Sequence, residues 1–160
     1  MVAEGTPFTG VLYGGLMKTP QGIKVIEFNA RFGDPETEVV LPRMKSDAVD
    51  VFMAVANNEQ PAAEWSEGAT LGIVLASKGY PGSYDKGAVI RGTERVESKI
   101  YHMGTAKKDG ELVTAGGRVM IVVAPADTLK EAQEKARKDI ALIECDNLFH
   151  RTDIGNKAFK

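Results

Sequence analysis

Between Val25 and Arg31 apolar and polar positions alternate with a period of two, the pattern of a β-strand. Side chains alternate faces along a strand, so Glu27, Asn29 and Arg31 are expected on one face. Ile26, Phe28 and Ala30 then cover the other. An earlier strand, from about residue 8, is joined to this one through Lys18-Thr19-Pro20-Gln21-Gly22. Pro and Gly there mark a reversal, which predicts an antiparallel hairpin over residues 8–33. Asp34-Pro35 reads as a helix start, with Asp as the cap, Pro in the first helical position, and Glu36 and Glu38 at the positive end of the dipole. The helical pattern covers residues 35–57, is broken or kinked at Pro42, and resumes behind Ser46 as a cap. In that second helix Ala48, Val49, Phe52, Met53, Val55 and Ala56 form an apolar stripe, expected to pack in the core.

Asn57-Asn58-Glu59-Gln60-Pro61 is the best internal boundary and divides the chain into 1–60 and 61–160. Beyond it the pattern changes to short strands at 71–76, 88–91, 100–104, 111–115 and 118–124. Lys108-Asp109-Gly110 carries the Asp-Gly signature of a hairpin turn. A last helix is predicted over 128–144, where Thr128 and Glu131 have capping-box spacing. Leu129, Ala132, Ala136, Ile140 and Ile143 recur along it at helical intervals. The fold class is α+β.

Composition narrows the partners. Lys plus Arg total 20 against 22 for Asp plus Glu, and no basic stripe with interleaved aromatics appears, which argues against nucleic acid. The longest apolar run, 119–126, falls far short of the roughly 20 residues that span a bilayer, so no membrane partner is expected. The single Cys145 gives no disulfide framework and reads as a small apolar residue near a helix end. The start of the chain has no basic, apolar leader, so the expected location is the cytoplasm.

The chemistry lies in the polar face of the second strand. Glu27 and Asn29 are hard oxygen donors of the kind Mg²⁺ takes, and Arg31 is a planar cation suited to phosphate. The same pattern is also that of a Glu–Arg cross-pair on an exposed sheet face. Gly116-Gly117-Arg118 reads either as a phosphate-holding loop or as a tight turn between strands. Lys78 sits in a turn-rich loop, Arg151 and Asp153 are placed for a local ion pair that orders the tail, and His102 reads as packing or hydrogen bonding within a strand. No nucleophile or acid–base pair assembles, which fits chemistry by positioning and charge neutralisation.

Phe8-Thr9-Gly10-Val11-Leu12-Tyr13-Gly14-Gly15-Leu16-Met17 and Lys24-Val25-Ile26-Glu27-Phe28-Asn29-Ala30-Arg31-Phe32-Gly33-Asp34-Pro35-Glu36-Thr37 closely resemble the phosphoribosylamine–glycine ligase (glycinamide ribonucleotide synthetase) family of the ATP-grasp superfamily. The likeness continues through Lys78–Tyr84, His102–Thr105, Gly116–Val119 and Arg151–Gly155, and so spans nearly all 160 residues. It implies the carboxy-terminal part of an ATP-grasp core, antiparallel strands plus helices, followed by a small β-rich domain like the rudimentary single-hybrid fold. It further implies Glu27 and Asn29 as ligands of Mg²⁺ or Mn²⁺, Arg31 as the essential catalytic arginine, and ATP, glycine and 5-phosphoribosylamine as substrates in purine (IMP) biosynthesis. Lys78, Arg118 and Arg151 are candidate contacts to the sugar phosphate, and Asp34 is carried both as a cap and as a candidate substrate contact. The acidic ligand that many ATP-grasp enzymes place on the preceding strand is absent here, where Gly14 and Gly15 stand. The family's amino-terminal domain, lid and adenine-gripping strands have no counterpart before Met1, so the expectation is a carboxy-terminal portion that is inactive alone. Two rivals remain: a different ATP-grasp ligase or carboxylase, and a non-catalytic structural or binding module.

Overall fold

The computed structural model describes residues 1–159 and divides into two compact units, Met1–Ser66 and Glu67–Lys160. Both are mixed α and β with antiparallel sheets, so the α+β expectation holds. Among the described residues no helix is long and apolar enough to cross a membrane.

In the first unit β1 (Tyr13–Thr19) and β2 (Gly22–Asn29) form the expected antiparallel hairpin. Its two-residue turn is closed by the Thr19 hydroxyl, which donates to the Gly22 carbonyl at 2.8 Å. The expected alternation does not run through β2. Gly15 pairs with Glu27 but Leu16 pairs with Val25, so Ile26 is an extra residue, a β-bulge. Directly opposed residues share a face, so Asn29, Glu27 and Lys24 lie on one face with Tyr13, Gly15 and Met17. Phe28, Val25 and Ile23 lie on the other with Gly14, Leu16 and Lys18. Val25 would have joined Glu27 in a regular strand, and the bulge moves it to the apolar side.

The long helical stretch expected over 35–57 is instead three short pieces: α1 (Thr37–Val40), a 3₁₀ turn (Leu41–Arg43) and α2 (Ala48–Ala56). Asp34 is not the cap of α1. Both the backbone N–H and the hydroxyl of Thr37 donate to the Gly33 carbonyl, at 3.0 and 2.7 Å, which closes a turn over 34–36 before the helix begins. Pro42 does break the helix, in the first turn of the 3₁₀ segment. Ser46 is not the cap of α2 either. Its hydroxyl is occupied by the Ala62 carbonyl and the Glu64 N–H, and the neighbouring Asp47 carboxylate accepts from Val49 and Asp50. The expected core stripe is also displaced, since Val49 and Met53 face solvent while Val51 is the buried residue of α2. Residues 62–66 stay with this unit through a Met44–Trp65 bridge and the Lys45-to-Glu64 hydrogen bond.

The second unit is a four-stranded antiparallel sheet in the order β4-β7-β3-β8: β3 is Ala69–Ser77, β4 Lys99–His102, β7 Arg118–Ala126 and β8 Leu148–Phe149. A separate hairpin of β5 (Thr105–Lys108) and β6 (Glu111–Thr114) turns through Asp109 and Gly110, both at positive φ, as the Asp-Gly signature requires. The stretch expected as a strand at 88–91 forms only isolated bridges, Val89 to Val113 and Arg91 to Glu144. One face of the sheet, with Leu71, Ile73, Leu75, Met120, Val122 and Ala124, packs against Ala132, Ala136 and Ile140 of α3 (Leu129–Ile140). Alanines at the contact let the helix approach closely, and the helix stops at Ile140 rather than at 144. Burial of this seam drives the unit's folding.

The capping box is complete. The Thr128 hydroxyl accepts from the Glu131 N–H at 3.3 Å, and the Glu131 carboxylate accepts the Thr128 N–H at 3.0 Å. Thr128→Ala is expected to cost the second unit about 1 kcal/mol, read as a lower urea midpoint with an unchanged slope.

Candidate metal and phosphate site

The end of β2 places two oxygen-bearing side chains side by side. Glu27 and Asn29 are two residues apart on one face, and the Asn29 amide Nδ2 donates to the Glu27 carboxylate Oε1 at 3.1 Å. With its NH₂ engaged there, the amide keeps its carbonyl oxygen as an acceptor. Across the ribbon stands Gly15, where an added Cβ would lie 3.2 Å from the Glu27 Cγ. A side chain at Gly15 would therefore crowd the stem of Glu27. Among the described residues no three His, Cys, Asp or Glu side chains gather as a metal cluster, and the Glu27–Asn29 pair joins one acid to one amide. That donor set suits a hard divalent ion that takes its other oxygens from phosphate and water.

Arg31 lies past the end of the strand. Its guanidinium Nη1 donates to the Phe32 carbonyl at 2.9 Å, so it does not continue the face as a third strand residue. The segment is anchored by Phe32, whose ring tilts against Phe52 of α2 at 6.1 Å between centroids. Asp34 is exposed in the turn that follows. One carboxylate oxygen each of Glu36 and Glu38 is buried without a hydrogen-bond partner among the described residues. The sequence marks both residues only as partners of the helix dipole, and nothing in a sequence pattern announces an orphaned acceptor. Such an oxygen calls for a donor.

A second cluster of candidate residues forms at one end of the sheet of the second unit. The Ser77 N–H and hydroxyl donate to the carbonyls of Gly117 and Gly116, at 2.8 and 2.9 Å, which holds the loop carrying Lys78 against the turn carrying Arg118. A bulge recurs here: Leu75 pairs with Met120 but Ala76 pairs with Arg118, so Val119 is the extra residue. It joins the core beside Met120, and Arg118 lies on the sheet face away from α3. Lys78 is exposed. Arg151 is not gathered with them. β8 runs antiparallel to β3 with Leu148 opposite Ser77, which carries residue 151 back along the sheet. Its guanidinium grips Asp153 through two bonds, Nε to Oδ1 at 2.9 Å and Nη2 to Oδ2 at 2.7 Å. His102 bonds through Nδ1 to the Thr105 hydroxyl at 3.0 Å, a local link within the strand–turn region.

A model of the phosphoribosylglycinamide synthetase C domain matches residues 70–157, more than half of the chain. The chain belongs to this synthetase family. A model of the family's ATP-grasp (A) domain matches residues 1–37, the hairpin that bears Glu27 and Asn29. The phosphoribosylamine–glycine ligase of Halalkalibacterium halodurans is 53% identical over 160 residues, 99% of this chain and 37% of the relative. That of Vibrio parahaemolyticus is 46% identical over 99% of this chain and 38% of the relative. The crystal structure of the Thermotoga maritima phosphoribosylamine–glycine ligase superposes with a TM-score of 0.79 at 34% identity, covering 90% of this chain and 36% of that one. The chain thus spans little more than a third of the length of the synthetases it matches.

The hydrogen-bonded Arg151 guanidinium holds the Asp153 carboxyl below the usual carboxylate range. A lowered carboxyl keeps its pairing through neutral pH and loses it only as pH falls through that lowered value. In Arg151→Ala, the Asp153 carboxyl carbon should titrate at a higher pH than in the parent, measured by ¹³C NMR.

Proposed function

We propose that the chain is the metal-binding end of the ATP-grasp domain, together with the C domain, of a phosphoribosylamine–glycine ligase. The reading is carried by one observation: the paired Glu27 carboxylate and Asn29 amide lie within the segment that matches the ATP-grasp domain. In the complete enzyme the glycine carboxylate attacks the γ-phosphate of ATP to give an acyl phosphate. The amine of 5-phosphoribosylamine then displaces phosphate, leaving glycinamide ribonucleotide, ADP and phosphate, a step toward IMP.

Glu27 and Asn29 would hold Mg²⁺ or Mn²⁺, which when bound neutralises charge on the phosphates. One carboxylate and one neutral amide leave the ion with net positive charge for those oxygens. Arg31 supplies a second, permanent cation for the transferring phosphoryl group, positioned through its bond to the Phe32 carbonyl. Lys78 and Arg118, brought to one end of the sheet by the Ser77 bonds, take the phosphate of the sugar. Arg151 is assigned to ordering the tail through Asp153. These residues orient reactants and balance charge, and no group of the chain is required as a nucleophile.

In the full-length ligase, Glu27→Gln is expected to lower kcat by at least about 100-fold with the fold intact, since metal-borne charge stabilisation is worth several kcal/mol. A near-normal rate at saturating Mg²⁺ would refute the ligand role. Lys78→Ala should raise KM for phosphoribosylamine by roughly tenfold while leaving KM for ATP unchanged, the loss of a single charged hydrogen bond. The chain by itself should show no ligase turnover.

A further inference from the structure

One asparagine closes the loop that carries Lys78. The pairing of β8 with β3 puts Leu148 opposite Ser77, which sets Asn147 beside Lys78. The Lys78 N–H donates to the Asn147 carbonyl at 2.9 Å, and the Asn147 side-chain Nδ2 donates to the Asp85 carbonyl at 2.9 Å. A single residue thus ties both ends of the segment 78–85. Within the segment the chain folds back on itself: Gly79 has a φ of +97°, and a Cβ there would run into the Ser83 carbonyl. The Tyr80 ring lies where a side chain on Gly117 would stand, and the Tyr84 ring meets it edge-on at 6.3 Å between centroids. The loop is therefore fastened at its base by Asn147 and, through Tyr80, against the turn that carries Arg118.

We propose that Asn147 is a positioning residue for the sugar-phosphate site, acting through Lys78 by clasping the loop from which that lysine projects. A lysine carries its charge on a flexible four-carbon stem, so its reach is only as well placed as the main chain it leaves. Ordering a loose loop when a ligand arrives weakens binding, whereas a loop closed beforehand has already lost that freedom. Asn147 supplies the closure from far along the chain, through its main-chain carbonyl and its side-chain NH₂. The amide suits the place: it donates to a carbonyl and brings no charge to compete with the phosphate for Lys78. An aspartate there would accept where a donor is needed and would set a negative charge beside the lysine. The inference rests on the assignment of Lys78 to the phosphate of the sugar.

The test is made in the full-length ligase. Asn147→Ala should raise KM for phosphoribosylamine about fivefold with kcat and KM for ATP unchanged, the loss of one hydrogen bond. In the double variant Lys78→Ala/Asn147→Ala that KM should equal the value for Lys78→Ala alone, because Asn147 then has nothing left to position. Hydrogen exchange in Asn147→Ala should quicken over residues 78–85 and stay at the parent rate along α3, which also shows that the domain is folded. Asn147→Leu, of similar size and without a donor, takes its place if the alanine variant does not fold. An unchanged KM for phosphoribosylamine in the Asn147 variant, while Lys78→Ala raises it, overturns the inference and leaves the phosphate reading standing. Effects that multiply in the double variant, an equal rise in KM for ATP, or unchanged exchange over the loop overturn it as well. An unchanged KM in Lys78→Ala overturns the phosphate reading itself, and this inference with it.

Discussion

Side chains on a strand have two directions available, and a strand that carries both a polar pair and an apolar set has to assign each residue to one of them. In β2 this is achieved by a single surplus residue. Ile26 interrupts the pairing, so Glu27 and Asn29 stay together on one side while Ile23 and Val25 join Phe28 on the other. The same device recurs at Val119, which enters the core and leaves Arg118 on the face away from α3. Both candidate clusters therefore sit where alternation is broken once, the use that bulges commonly serve beside functional sites.

The two units carry their chemistry differently. In the first, Glu27 and Asn29 project from an exposed ribbon with Gly15 opposite, and the segment beyond is pinned by the Phe32–Phe52 contact and the Thr37–Gly33 bonds. In the second, a buried central strand, with Val119 to Ala124 at most 1% exposed, forms a rigid base. Loops at its end are fastened to it by Ser77. The first arrangement is an exposed ribbon. The second is already a packed body.

Much of this was legible in the sequence where local chemistry decides the outcome. Pro20 and Gly22 announced the first hairpin, Asp109-Gly110 the second, and Thr128 with Glu131 the start of α3. The Glu27–Asn29 pair followed from a spacing of two, which survives the bulge because the surplus residue lies before it. What failed depends on competition between neighbours. Asp47 outcompeted Ser46 as a cap because Ser46 is held by Ala62 and Glu64, partners remote in sequence. Arg31 left the strand because pairing ends at Tyr13–Asn29. The buried face of α2 was misassigned because its residues are apolar nearly all round, so periodicity alone could not choose between Val49 and Val51. A bulge changes register without changing composition, and no pattern of types foretold Ile26 or Val119.

Gly104, Gly116 and Gly117 show where the second cluster is most fragile. A Cβ on Gly104 would come within 2.6 Å of the Arg118 carbonyl and 2.7 Å of Gly116, and one on Gly117 would run into the Tyr80 ring. Between Gly104 and the turn carrying Arg118 main chain touches main chain, so that spacing is set by atoms that a survey of charged residues never alters. A single methyl group at Gly104 would push this turn away from the Arg118 carbonyl while every lysine and arginine remained in place.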